Sequence, residues 1–395
     1  MFRPQIQKTG ILFSLAVFCL IMVYIALNSV EIEEAIGYQD KMKAVEIMED
    51  CLSILKKVVN KEHILPDHDP NYTGLIFDDK YSPMITYSGD KPTLDSKQTV
   101  LKTIFASLIV DLFLKVDLTK GDTIAVGMTG SFPGANIALL SACEAMEIVP
   151  VIISSIGASE WGATDPNFTW LDLEKILVDS AVVSYRSKAV SLGGYRDMYG
   201  LNPNNGYGGP EAKKLAEKAI ARNEDIERIV EKKSKRVSDR KDIYKKYIHG
   251  QLLANYSAFV NIGGGVGSIG IEGKKNYKWG ILDAKKVAPD ARHFNNSGII
   301  KEFAKKNVQL INIQQIDELI KDDDGRELIK YGVNLKDPDV PGTGPLFSSE
   351  RYTVKTLLVT LLALISTLGI VVAIGINSFH QINKHMNTYE TDSIL

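Results

Sequence analysis

The sequence predicts an α/β fold, in which a mostly parallel sheet flanked by helices forms an extracytoplasmic domain between two transmembrane helices. In the middle of the chain, short apolar β-type runs alternate with helix-type segments, which is the pattern of parallel strands covered on both faces. At the two ends, the segments Ile11 to Leu27 and Thr356 to Ser378 contain no charged residue. Each is long enough to cross a bilayer core of about 30 Å as a helix.

The composition narrows the possible classes of protein. The chain has 395 residues and a formal net charge of −2. At roughly 150 residues per domain this length corresponds to two or three soluble domains, but the apolar ends leave one central domain. The near-neutral charge excludes a nucleic-acid binder that works by bulk electrostatic attraction. Of three cysteines, Cys19 lies in the first apolar segment, while Cys51 and Cys143 lie in apolar helical patterns that favour buried thiols over a disulfide.

Charges around the first apolar segment predict the topology. Basic residues precede the segment and acidic residues follow it, namely Arg3 and Lys8 on one side and Glu31, Glu33 and Glu34 on the other. The positive-inside rule therefore places the amino terminus in the cytoplasm and the domain outside the cytoplasmic membrane. A cleaved signal peptide is the alternative, but the residues after the apolar run offer no clean small-x-small cleavage site. Because ATP and NAD are scarce outside the cytoplasm, we expect no nucleotide cofactor.

These segments predict the order of the parts along the chain. We expect a cytoplasmic tail over 1–10, a transmembrane helix over 11–30, an amphipathic stalk helix over 31–62, the α/β domain over 63–345, a linker over 346–355, a second transmembrane helix over 356–378 and a cytoplasmic tail over 379–395. The stalk follows from apolar residues at helical spacing between Val45 and Val59. Packing of this apolar stripe on its own domain is favoured over packing on a second protomer.

The elements of the domain follow in order. A buried helix is expected from Leu94 to Lys115. A strand over 123–127, a helix over 135–146 and a strand over 148–154 then form a βαβ unit. Further on, the pattern predicts a helix over 168–178, a strand at 181–185 or 189–192, a helix over 211–248, strands at 258–262 and 308–313, and a helix over 315–330.

Loops that follow successive parallel strands gather at one edge of the sheet, where ligands bind. The loop from Thr129 to Gly134 leads into a helix, whose unpaired first amides favour an anion or a carboxylate. The alternative is that Gly and Pro only form the turn while Ser131 caps the helix. We expect two catalytic candidates, Ser131 and Asp165. The binding candidates at the same edge are Gly130, Gly134, Ser159, Glu160, Asn261, Gly263, Gly264 and Gly265.

Other motifs carry weaker signals. Gly265 to Gly270 matches G-x-G-x-x-G after a strand, but a polar segment follows where the dinucleotide fingerprint needs an apolar helix. Ser-His-Asp chemistry needs a histidine beside the serine, and His293 is the best placed of the histidines in the domain, which are His63, His68, His249 and His293. No metal site is expected, since adjacent Asp67, His68 and Asp69 place three side chains on one ion poorly.

Two segments resemble a known family. They are Gly121 to Asn136, GDTIAVGMTGSFPGAN, and Val151 to Asp172, VIISSIGASEWGATDPNFTWLD. Both are similar to the bacterial poly-γ-glutamate system protein family, and the resemblance extends through the central domain. It implies a membrane accessory component of poly-γ-glutamate synthesis or export. The implied partners are the poly-γ-glutamate synthase ligase, its small membrane partner and the anionic polymer. From the near-neutral charge we expect no nucleic-acid partner.

Three functions stay open at this point. The first is the accessory role that the resemblance implies. The second is an extracytoplasmic hydrolase or γ-glutamyl transferase that uses Ser131 or Asp165. The third is a membrane-tethered binding or sensing module unrelated to the polymer.

Overall fold

The computed structural model describes residues 9–58, 65–77, 82–86, 91–193, 210–229, 235–270, 277–289, 297–333 and 339–392. The chain divides into two compact units. The terminal unit comprises Met1–Glu34 and Ser348–Leu395, and the central unit comprises Ala35–Phe347. The central unit therefore begins before residue 63, where the sequence pattern placed the start of the domain.

The elements alternate between helix and strand through the central unit. In chain order they are α1 (Thr9–Leu27), β1 (Val30–Glu34), α2 (Tyr38–Val58), α3 (Lys91–Val100), α4 (Ile104–Lys115), β2 (Thr123–Thr129), α5 (Pro133–Met146), β3 (Val149–Ser155), α6 (Trp170–Asp179), β4 (Ala189–Ser191), α7 (Pro210–Ala221), β5 (Glu227–Arg228), α8 (Arg236–Lys246), β6 (Ala258–Ile262), β7 (Gly280–Leu282), α9 (Ala284–Val287), α10 (Ile300–Ala304), β8 (Gln309–Ile313), α11 (Ile316–Leu319), β9 (Ser348–Tyr352) and α12 (Val354–Asp392). Two short 3₁₀ turns, His249–Gln251 and Leu253–Asn255, precede β6.

The terminal unit contains two apolar helices and a two-stranded ribbon. Thr9–Leu27 and Val354–Lys384 are long and apolar enough to cross a membrane, and α1 packs against α12. Strand β1 pairs antiparallel with β9, so Ile32 lies opposite Glu350. We predicted a stalk helix over 31–62 and a linker over 346–355. Parts of both segments, residues 30–34 and 348–352, instead form paired strands that satisfy each other's backbone groups. Helix α12 also continues to Asp392, through residues expected as a cytoplasmic tail.

The central unit is built on a seven-stranded sheet in the order β5-β4-β3-β2-β6-β8-β7. Neighbouring strands are parallel except β7, which runs antiparallel to β8 at one margin. From β2 the chain adds β3, β4 and β5 on one side, then β6 and β8 on the other, so the strand order reverses between β2 and β6. Ligands bind at the carboxyl ends of strands at such a switch point. The predicted α/β class with a mostly parallel sheet is confirmed.

Strands β2, β3, β4, β6 and β8 are buried along most of their length on both faces, as their continuous apolar sequences predict. The marginal strand β5 is exposed. On β2, Ile124 and Val126 pack into one core, and Ala125 packs into the other. Helices α2, α4 and α5 pack together on the first side. The second core contains the aromatic residues Tyr244, Tyr256, Phe259 and Phe303.

Helix α2 belongs to the first core rather than to a separate stalk. Its apolar stripe is buried, including Val45, Met48 and Leu55. Lys41 on the same helix is 1% exposed, and its Nζ contacts Asp111 Oδ1 at 2.7 Å and donates to the Leu346 carbonyl oxygen at 2.9 Å. The interpretation that this stripe packs on its own domain therefore agrees with the structure.

The cysteines of the central unit are free thiols. Cys51 on α2 and Cys143 on α5 are both buried and unpaired as disulfides. Burial raises the pKa of the Cys51 thiol to about 12. The preference for buried thiols over a disulfide is confirmed.

Three predicted helices are shorter in the structure. The segment 94–115 forms two helices, α3 and α4, separated at residues 101–103. The segment 211–248 contains α7 and α8 with β5 between them, because the Ile229 amide donates to the Val190 carbonyl and draws this stretch onto β4. In 315–330 only Ile316–Leu319 is an α-helix.

Candidate functional site

Two loops interlock at the carboxyl edge of the sheet. We call residues 130–132 the β2 loop and residues 156–165 the β3 loop. The Gly130 amide donates to the Ser155 carbonyl at 3.1 Å, and the Ala163 amide donates to the Gly130 carbonyl at 2.8 Å. The Ser159 amide donates to Ser131 Oγ at 3.1 Å. These bonds hold the β3 loop directly on the β2 loop, so the predicted gathering of Ser131 and Ser159 at one edge is found.

Glycines allow the close approach of these segments. A Cβ on Gly162 would lie 2.7 Å from the Gly130 carbonyl oxygen and 2.9 Å from Ser131 Cα. A Cβ on Gly134 would lie 2.6 Å from the carbonyl oxygen of Val100, at the end of α3. Gly134 therefore has a packing role between α3 and α5, and Gly130 forms one main-chain bond to the end of β3 and one to the β3 loop. A direct ligand contact by either glycine stays a prediction.

Helix α3 brings a buried lysine to the two serines. Lys97 is 2% exposed, and its Nζ donates to the Ser131 carbonyl oxygen and, at 2.8 Å, to Ser159 Oγ. Nζ also lies 3.9 Å from the centre of the Phe132 ring. Within the part of the chain that the structure describes, no carboxylate forms an ion pair with Lys97. Burial lowers the pKa of Lys97 to about 7 because desolvation disfavours the charged form.

The position of Lys97 is set by contacts along α3. Gln98 Nε2 donates to the His68 carbonyl oxygen at 2.9 Å. One residue on, Thr99 Oγ1 accepts from the Gly332 amide at 2.8 Å. These contacts tie α3 to two other segments of the central unit, so the lysine is presented to the loops by a fixed helix. We call Lys97, the β2 loop and the β3 loop together the edge site.

The predicted acidic candidates have different places. Asp165 Oδ1 accepts from the Asn167 amide at 2.8 Å, which closes a local turn before α6. Helix α6 then begins with a capping box formed by Thr169 and Asp172. Glu160 is 6% exposed and follows Ser159 directly. Ser131 and Ser159 are thus joined by a hydrogen bond. The hydrogen bond of Asp165 to the Asn167 amide instead stabilises the turn at the end of the β3 loop.

The predicted glycine loop after β6 meets the end of β2. We call residues 263–265 the β6 loop. Gly263 has φ +85°, and a Cβ there would collide with Thr129 Oγ1, so this position requires glycine. Gly264 is half-buried, and the Gly265 carbonyl accepts from the amides of Ser268 and Ile269, both at 3.0 Å. The β6 loop therefore lies at the switch point, beside the strand that leads into the edge site.

Asn261 organises the β6 loop from within the sheet. Its Nδ2 donates to the Gly263 carbonyl at 2.7 Å and to Asn312 Oδ1 at 2.8 Å. Gln314 Nε2 donates to the same Gly263 carbonyl at 2.5 Å. Asn261 is fully buried, and its Oδ1 has no hydrogen-bond partner among the described residues. The hydrogen bonds of the Asn261 side chain therefore go to the β6 loop and to Asn312 on β8.

The basic group that the structure places at the serines is a lysine. His63 and His293 lie outside the described residues. His68 packs edge-to-face on Trp161, with 6.3 Å between the ring centres, and His249 is exposed. Within the described ranges no group of three or more His, Cys, Asp or Glu side chains is arranged to hold a metal ion.

Sequence reasoning missed Lys97, although one signal pointed to it. The helix predicted over 94–115 was expected to be buried, and a lysine in a buried helix needs a polar partner. The identity of that partner depends on the packing of α3 against loops that come after it in the chain.

Comparison with known proteins finds no matching family profile, no similar curated protein and no matching solved structure.

Proposed function

We propose that this chain is a membrane-anchored accessory protein of poly-γ-glutamate synthesis or export that engages the polymer at the edge site. The observation that carries the proposal is that the β2 and β3 loops interlock at the carboxyl edge of the sheet, with the β6 loop against Thr129 at the end of β2, beside the switch point where α/β proteins bind their ligands. The two segments that resemble the family, 121–136 and 151–172, are the ones that form β2, β3 and the loops after them. The resemblance and the candidate site therefore concern the same part of the molecule.

Two helices of membrane-spanning length support a role in making or exporting a surface polymer. The central unit lies in sequence between two helices of membrane-spanning length. The charges before and after α1 favour a cytoplasmic amino terminus, so we propose that the central unit is extracytoplasmic. The synthase ligase and its small membrane partner are proposed to contact this protein in the same membrane.

Local groups rather than net charge must hold an acidic polymer, because the chain carries a formal charge of −2. Helix α5 starts at the end of the β2 loop, so the amides of its first turn lie at the carboxyl edge of the sheet. Such amides favour carboxylates. The protonated form of Lys97 adds a positive charge to the same place. We infer that successive carboxylates of the polymer are recognised there.

Binding of a defined oligomer tests this proposal. With the full chain in lipid nanodiscs, titration calorimetry should detect binding of a γ-linked glutamate oligomer. Substituting Ser131→Asp should weaken this affinity at least tenfold, because it places a negative charge beside the proposed carboxylate site. The matched control is Ser180→Asp at the exposed carboxyl end of α6, which should leave affinity unchanged.

Two results would count against the proposal. The first is absence of binding to the γ-linked oligomer by the wild-type chain. The second is a Ser131→Asp chain that binds as well as the Ser180→Asp control.

A further inference from the structure

We propose that Ser159 and Lys97 form a serine–lysine catalytic pair that cleaves an acyl bond, an amide or an ester, through an acyl-serine intermediate. The pair is inferred from the edge site itself. The proposal rests on the function proposed above only for the identity of the substrate, a γ-linked glutamyl amide.

Geometry selects Ser159 as the nucleophile. Its Oγ lies 2.8 Å from Lys97 Nζ, within the hydrogen-bond reach that a nucleophile and its base require. Ser159 is half-buried, whereas Lys97 lies beneath it at 2% exposure. A substrate can therefore approach the hydroxyl from the solvent side while the lysine stays covered.

Ser131 has a different position relative to the lysine. Lys97 reaches Ser131 through the main-chain carbonyl oxygen, and Ser131 Oγ accepts a hydrogen bond from the Ser159 amide. Ser131 therefore holds the backbone of the nucleophile in place and is a positioning residue. This assignment differs from the sequence-based expectation, in which Ser131 was one of two catalytic candidates.

The surroundings of Lys97 suit a general base. The groups around Nζ are a carbonyl oxygen, a hydroxyl and the Phe132 ring. Desolvation is the cause that lowers the pKa of this lysine to about 7. At neutral pH a large fraction of the lysine is neutral and has a lone pair available for the Ser159 proton.

The backbone around Ser159 is held in a sharp turn. The Gly162 amide donates to the Ser159 carbonyl oxygen at 2.9 Å. Trp161 has φ +60°, a left-handed conformation that is costly for a bulky residue. Gly162 is in turn confined between Gly130 and Ser131. Strain of this kind persists where surrounding contacts impose it, and here the confinement of Gly162 holds the turn that carries Ser159.

The reaction balances with water as the second reactant. Neutral Lys97 accepts the Ser159 hydroxyl proton while Oγ attacks the carbonyl carbon, and the π electrons move to the carbonyl oxygen. As the tetrahedral intermediate collapses, the bond to the amine or alcohol breaks, and the leaving group takes the proton from Lys97. Water then attacks the acyl-serine, gives a proton to Lys97 and releases the carboxylic acid. Lys97 returns that proton to Ser159 Oγ.

A serine-reactive fluorophosphonate tests the pair without assuming the natural substrate. On the full chain in nanodiscs, the probe should form a phosphorus–oxygen bond at Ser159, with loss of fluoride, and mass spectrometry should locate it there. The labelling rate should rise with pH through a midpoint near 7. Ser159→Ala should remove the label, and Lys97→Met should slow labelling at least 100-fold. The controls Ser180→Ala and Lys175→Met, both at exposed positions of the α6 region, should label like the wild type.

Folding and positioning are checked separately. Lys97→Met removes a buried amine whose pKa desolvation lowers to about 7, and it also removes the hydrogen bonds of that amine, so its unfolding midpoint should stay close to that of the wild type. Ser131→Ala should slow labelling about tenfold, the equivalent of one hydrogen bond, with no change in the pH midpoint. Ser131→Thr, which keeps a hydroxyl, should restore most of the rate.

The outcomes separate the two proposals. A label on a residue other than Ser159, or wild-type labelling of Lys97→Met, overturns the catalytic pair. Labelling of Ser159 by a chain that neither binds nor cleaves the γ-linked oligomer supports the pair and overturns the polymer as substrate. Binding of the oligomer by a chain that the probe does not label at Ser159 supports the polymer as ligand and overturns the catalytic pair.

Discussion

Substituting Gly162→Ala is expected to destabilise the central unit by about 1–3 kcal/mol, as overpacking of a dense site does, and to abolish labelling of Ser159. The added Cβ would stand 2.7 Å from the Gly130 carbonyl oxygen and 2.9 Å from Ser131 Cα. Both neighbours are main-chain atoms, so neither can move away as a flexible side chain would. The β3 loop must shift, and Ser159 Oγ then leaves the 2.8 Å contact with Lys97.

Thermal unfolding and fluorophosphonate labelling of the full chain check this prediction. The matched control is Gly369→Ala, whose Cβ would meet no atom within 4 Å and which should leave labelling unchanged. A Gly162→Ala chain with wild-type stability and labelling would mean that the two loops do not touch as described.

A second large effect is expected from Glu174→Gln, as a change in the pH dependence of stability. Glu174 is fully buried. Its Oε1 accepts from Ser187 Oγ at 2.8 Å, and its Oε2 lies 3.9 Å from Arg186 Nε. Burial, partly offset by the Ser187 bonds and by Arg186, raises the pKa of this carboxyl from 4.5 to about 7.

The raised pKa determines the sign of the effect. The folded state keeps a proton that the unfolded chain releases near pH 4.5, so the free energy of unfolding falls as pH rises from about 4.5 to about 7. Glutamine is neutral at every pH and retains an oxygen that can accept from Ser187. The variant should therefore be more stable than the wild type by about 2–3 kcal/mol at pH 8, with little difference at pH 4.5.

Chemical denaturation at pH 4.5 and pH 8 checks this second prediction. Glu217→Gln on α7 is the control, because that carboxylate is partly exposed and paired with Arg228 at 2.9 Å. If the difference between Glu174→Gln and the wild type were the same at both pH values, Glu174 would not be the group that titrates.

The centre of the fold could be predicted because its signals are local. The strand predicted at 258–262 has those bounds, and the helix predicted over 135–146 starts two residues earlier, at Pro133. Continuous apolar runs separated by glycine-rich turns define these elements without reference to distant residues. The two-residue strand β5 left no such pattern, since backbone pairing with β4 creates it.

The errors at the edges of the domain have a physical cause in long-range pairing. Residues 30–34 have a polar, acidic sequence that does not resemble a buried strand. They become a strand by pairing with residues 348–352, more than three hundred positions away. The apolar stripe of α2 was identified correctly, but whether a helix stands apart or packs into a domain depends on partners such as Phe347 and Asp111, which the stripe alone does not reveal.

The edge site was predicted in part. Because loops after parallel strands lie at one edge of the sheet, the sequence predicted that Ser131 and Ser159 would lie close together, and the structure shows them in contact. That reasoning could not identify Lys97, which precedes β2 in the chain and reaches the loops through the packing of α3. The properties of a lysine depend on its burial, and burial is a result of the whole fold.

Protection of Ser159 from the fluorophosphonate by a γ-linked glutamate oligomer tests the central claim most directly, because it joins the ligand to the site. The full chain in nanodiscs would be labelled with increasing oligomer, with an α-linked glutamate oligomer of equal length and charge as the control. We predict that the γ-linked oligomer slows labelling of Ser159 at least tenfold at concentrations where the α-linked oligomer has no effect. Labelling of Ser159 at the same rate with and without the γ-linked oligomer would contradict the account.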